Sequence, residues 1–116
     1  MSPSKMQVDE FGRDPAVHAM RRVFASMEAV QQQILQAAAL SPFDRRLRPW
    51  REQALQFFEQ AWTRARKSGL ARDEDEVAAL YAICLAGVLE RGRVAVPAEA
   101  LPRNEALEGI VREILR

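Results

Sequence analysis

Histidine and cysteine each occur once in the chain, as His18 and Cys84. A zinc site of the Cys/His kind needs three or four such ligands to converge, so one copy of the chain cannot build one. Ferritin-like di-iron sites use Glu-x-x-His pairs on bundle helices, and no such pair is present. The acidic run Asp73-Glu74-Asp75-Glu76 lacks the glycine and the ligand spacing of a calcium loop, and reads as a helix start. Cys84 stands mid-way in an apolar run, where a thiol behaves as a small hydrophobe with a raised pKa. A Cys84–His18 dyad would need two helices to bring the pair together and a cleft to admit substrate. Glycine-rich phosphate loops, G-x-S-x-G and H-E-x-x-H are all missing. The expectation is a chain that is no enzyme and carries no metal or cofactor.

Positive charge is the other chemistry on offer. Arg45, Arg46, Arg48, Arg51, Arg64, Arg66, Lys67 and Arg72 face only Asp44, Glu52 and Glu59 between residues 41 and 72. Phe43, Trp50 and Phe57 interleave with the first half, as on some nucleic-acid surfaces. Binding of nucleic acid through Arg45, Arg46, Arg48 and Arg51 is therefore the alternative function. Geometry weighs against it, because the two basic groups sit at opposite ends of one helix, about 25–30 Å apart. A helix-turn-helix register through Ala65 and Gly69 puts Asp75 where the recognition helix needs an apolar residue. The formal net charge is only +1, and arginine so outnumbers lysine (Lys5 and Lys67 alone) that codon bias of a GC-rich bacterial genome accounts for much of it.

These residues must be positioned by helices. The 116-residue chain is 48% hydrophobic and 28% charged, with five Gly and six Pro. It is rich in the strong helix formers Ala, Leu, Glu, Arg and Gln. No alternation of β-branched residues runs long enough for a sheet. The pattern predicts an all-α fold, a small helical bundle of three long helices plus a short C-terminal helix. Residues 1–13 are expected to be a loose N-terminal arm, and 14–116 a single domain. Asp14-Pro15 opens a first helix running to about Leu40, with the apolar series Val17, Met20, Phe24, Met27, Ile34 and Ala38 and the polar Gln31 in the same seam. A second helix is expected from Pro49 to Ser68, closed by Gly69 and joined by a short turn to an antiparallel third.

The third helix, Glu74 to Glu90, carries the strongest signal. Asp73 is placed to cap it, Glu76 to reach back to the cap's own N–H, and the acidic first turn complements the helix dipole. From Val77 to Leu89 it bears no charge, thirteen residues that are too few for a bilayer, which needs about 20. A helix apolar all round is a core helix. Gly92 is expected to end it, Pro97 to Leu101 to make one turn, and Asn104 to cap a last helix over Glu105–Leu115.

Taken together, the expected function is a non-enzymatic protein–protein interaction module of the adaptor, chaperone-like or regulatory-subunit kind. The compartment is expected to be the cytoplasm, given a single cysteine and no signal-peptide pattern. Ala78, Ala82 and Ala86 recur every four residues on the core helix, a small-residue face that lets another helix approach. Either the first or last helix of the same chain fills that face or a second copy of the chain does, giving a homodimer. The second reading is raised because two long helices and a short one look too few to cover an all-apolar helix. Met20, Phe24 and Met27 form the second expected partner-binding stripe.

Overall fold

The computed structural model describes residues 15–116, so the expected arm over 1–13 and the Asp14 cap lie outside the described residues. The fold is all-helical: α1 (Pro15–Ala37), α2 (Leu47–Lys67), α3 (Glu74–Arg91), a 3-10 turn over Ala98–Ala100, and α4 (Glu105–Leu115). No strand occurs among the described residues.

Local chemistry accounts for most boundaries. The Asp73 carboxylate accepts the Glu76 N–H at 2.8 Å. Glu76 reaches back as well, but to the N–H of Arg72 at 3.1 Å rather than to that of the cap. Asn104 accepts the Leu107 N–H at 3.2 Å and starts α4 where expected. Helix α2 begins two residues earlier than Pro49 suggests, because the missing proline N–H falls within the first turn, where no intrahelical acceptor exists. The first helix stops three residues short of Leu40, at Ala37, in a left-handed closing turn at Ala39.

Helix α3 is the hub, and it packs against α1, α2 and α4. Phe58 meets Tyr81 edge-on at 5.9 Å, and Trp50 lies against Gly92. Those two contacts run in opposite chain directions, so α2 and α3 form the antiparallel hairpin that the short Gly69–Arg72 turn implies. Arg22 pairs with Glu74 and Gln31 with Tyr81, so α1 runs parallel to α3.

One expectation about the core is overturned. Helix α3 does not need a second chain to cover it: Leu80, Cys84, Leu85 and Leu89 are fully buried within one copy. The cover that sequence reading undervalued comes from α4 and from the segment after α3. Leu107 and Val111 of α4 are buried, and Leu115 packs where a side chain on Gly87 would stand. Val96 is buried too, and the 3-10 turn rests against α1.

Candidate interaction surface

Ala78, Ala82 and Ala86 are 3%, 1% and 2% exposed. Gly87 faces α4 and Tyr81 faces both α1 and α2. On the helical wheel the three alanines then fall on the remaining side, toward α1. Their small size serves close packing inside one chain. They offer no surface to a partner, and the expectation that a second copy fills this face is corrected.

The α1 stripe divides in two. Met27, Gln31, Ile34 and Leu35 are buried, so Met27 drops out of the expected partner-binding set. Met20 and Phe24 are 57% and 60% exposed. The difference follows from the relative placement of the helices. Arg22 reaches Glu74 at 3.4 Å, and Glu74 is the first residue of α3. The turns of α1 before Arg22, with Met20, therefore lie beyond the end of the helix that buries the rest of the stripe. Phe24 instead lies level with the first turn of α3 and about 60° round the wheel from the buried Met27. Val17, Met20, Arg21, Phe24 and Glu28 fall within about 60° of Phe24 on the wheel and form one face. Of these only Val17 is even half-buried, and neither Arg21 nor Glu28 makes an ion pair among the described residues.

A cleft of about 1100 Å³ lies between the first turns of α1 and the end of the α2–α3 hairpin. Ala19 and Val23 of α1, Trp62 and Arg66 of α2, and Val77 of α3 line it, with Arg72 and Asp73 at the turn. Sequence reading missed this grouping, although Trp62 and Arg66 one turn apart are its local signature. Its charges are largely engaged: Arg22 with Glu74, Asp73 with the helix start, and Arg66 over the Trp62 ring at 5.6 Å. The buried Trp62 indole N–H has no hydrogen-bond partner among the described residues.

The basic segment is dispersed in a similar way. Arg46 forks onto Asp44 through bonds of 3.0 and 2.7 Å and lies over the Trp50 ring at 5.0 Å. That hydrogen-bonded guanidinium holds the Asp44 carboxyl down at about 2. Arg48 pairs with Glu52 one turn on, at 3.6 Å. Arg51 sits beside the buried Tyr81 hydroxyl, where its positive charge opposes the upward push of burial on that group. Of the four arginines only Arg45 has no such local engagement among the described residues, so they do not present four free cations on one face.

The potential catalytic pair is separated by environment. Cys84 is fully buried and burial pushes its thiol up to about 12, whereas His18 is exposed on the first turns of α1. Among the described residues no three of His, Cys, Asp and Glu converge as metal ligands would, and no helix is long and apolar enough to cross a membrane. No protein-family model, curated protein or solved structure matches the chain.

Proposed function

We propose that the chain is a non-enzymatic protein–protein interaction module whose recognition surface is the outer face of the N-terminal half of α1. One observation carries this reading: Met20 and Phe24 continue the apolar stripe that is buried further along the same helix, yet stand more than half exposed. Large apolar side chains side by side on a solvated helix cost solubility, and a partner that covers them recovers roughly 25 cal/mol for each Å² removed from water. A rigid helix is also a precise platform for such contacts.

Site-specific photocrosslinking in cells tests this. Phe24 replaced by benzoylphenylalanine should give a discrete protein crosslink that the same probe at exposed Gln53 of α2 does not give. Equal labelling at both positions, or none at position 24, removes the proposal. Binding of nucleic acid through Arg45, Arg46, Arg48 and Arg51 finds less support, because Arg46 and Arg48 already hold carboxylates and Arg51 lies beside Tyr81.

A further inference from the structure

We infer that the partner covering this face of α1 is a second copy of the same chain, crossing antiparallel with Phe24 at the two-fold axis. The inference rests on the interaction reading above and deepens it. Its basis is the charge pattern around the apolar pair. Arg21 precedes Phe24 by three residues and Glu28 follows it by four, both on the same face and both exposed. In an antiparallel crossing centred on Phe24, residues before the centre in one copy lie level with residues after it in the other. Arg21 of each copy then stands opposite Glu28 of its mate, within about one residue rise of level.

The surface is thus complementary to itself, which an isologous dimer requires. A parallel arrangement would set Arg21 against Arg21 and Glu28 against Glu28, two like-charge contacts that select against it. At the centre, the two Phe24 rings meet one another and each Met20 thioether meets the partner ring, both favourable contacts of aromatic groups.

The face is limited in length. It runs from Val17 to Glu28, beyond which Gln31 and Leu35 on the same side are already buried by their own chain. A contact of about three turns per helix lies at the low end of specific interface areas, so the dimer belongs in the micromolar range of dissociation constants. Steep crossing of the two helices suits such a contact, since it keeps the residues around Phe24 together while the two bodies diverge.

Sedimentation equilibrium on four proteins decides the matter: the unaltered chain, Arg21→Glu, Glu28→Arg and the double exchange. Each single reversal should weaken dimerisation at least tenfold, because it sets like charges together at both symmetric positions. The double exchange should return the dissociation constant to within about threefold of the starting value. Unchanged affinity in the single variants, or a double variant as weak as the singles, overturns the inference. So does a chain that stays monomeric up to millimolar concentration. Both substituted positions are exposed, and circular dichroism should show unchanged helix content throughout.

The Phe24 crosslink separates the two levels of the proposal. A product of twice the chain mass supports the second copy. A product of any other mass overturns self-association while leaving the interaction module in place, and no product overturns both.

Discussion

Gln31 is the sole buried polar side chain among the described residues, and its Oε1 accepts the Tyr81 hydroxyl at 2.6 Å. Tyr81→Phe removes the donor and leaves the amide oxygen buried and unpaired, a loss of about 1–3 kcal/mol. Gln31→Leu in that background should recover much of it, because an apolar pair leaves nothing unsatisfied. Urea unfolding of the unaltered chain and the two variants measures both steps, and a second substitution that lowers stability further would contradict the pairing. The position of Gln31 in an apolar seam was legible in the sequence, but its partner was not. Fifty residues separate the two, and no local spacing encodes a bond between helices. Cys84 gives a second prediction at this scale. Its folded pKa of about 12 stands above the ordinary value of 9.0, so the folded state holds its proton while the unfolded chain releases it. The stability this group contributes is therefore complete below pH 9 and falls as pH rises toward 12, by up to about 1.4 kcal/mol per unit. Cys84→Ala should flatten that part of the pH profile. A thiol reagent such as Ellman's reagent should label the unaltered chain only as fast as it opens, and prompt stoichiometric labelling at pH 8 would show that the thiol is accessible.

Three helices close by the same device, and residue type announces it in only one. The N–H of Leu40 bonds to Leu35 O at 2.9 Å, that of Leu70 to Ala65 O at 2.7 Å, and that of Val94 to Leu89 O at 2.9 Å. Each closure turns on a left-handed residue, Ala39 at φ 57°, Gly69 at φ 76° and Arg93 at φ 65°. Gly69 was readable as a stop because glycine favours that conformation. Gly92 was readable too, but for a reason the structure replaces. It is Arg93 that takes the positive φ, and Gly92 is small because Trp50 lies 2.7 Å from where its Cβ would stand. Starts were easier to read than stops. Asp73 with Glu76, and Asn104, act on N–H groups three residues away, a distance that sequence displays directly. Arg93→Gly and Ala39→Gly should each stabilise the fold by about 0.5–1 kcal/mol through relief of left-handed strain. Gly92→Ala should destabilise it by displacing the Trp50 ring, seen as a lower melting temperature with altered tryptophan emission. If Arg93→Gly lowers the melting temperature, the side chain at 93 matters more than its backbone strain.

For the molecule as a whole, the all-helical class and the four helices were legible because periodicity and caps are local properties. The faces of α2 and α4 were legible for the same reason, but how far along its length α1 is buried was not, since that depends on where neighbouring helices end. Met20, Phe24 and Met27 look alike on one stripe, but only Met27 is buried: Met20 precedes the level of Arg22, where α3 begins, and Phe24 stands to the side of Met27 on the wheel. Ala78, Ala82 and Ala86 look like an open face until α1 and the segment after α3 are in place. That relocation from α3 to α1 makes two kinds of dimer distinguishable. A core shared through the alanine face would leave each monomer with an uncovered apolar helix, and dissociation would be coupled to unfolding. Contact through the α1 face leaves Leu80, Leu85 and Leu89 covered by their own chain, so each copy stays folded when the pair separates. Dilution from about 200 µM to about 1 µM, across the range in which a contact of this size dissociates, should therefore leave the far-ultraviolet helix signal unchanged while the sedimenting mass falls by half. Stability gained from association should be modest and concentration-dependent, so the melting temperature should drop by only a few degrees over the same range and then level off. Loss of helix in step with loss of mass would mean that the core is shared between chains after all, and would return the alanine face to the position the isolated sequence suggested for it.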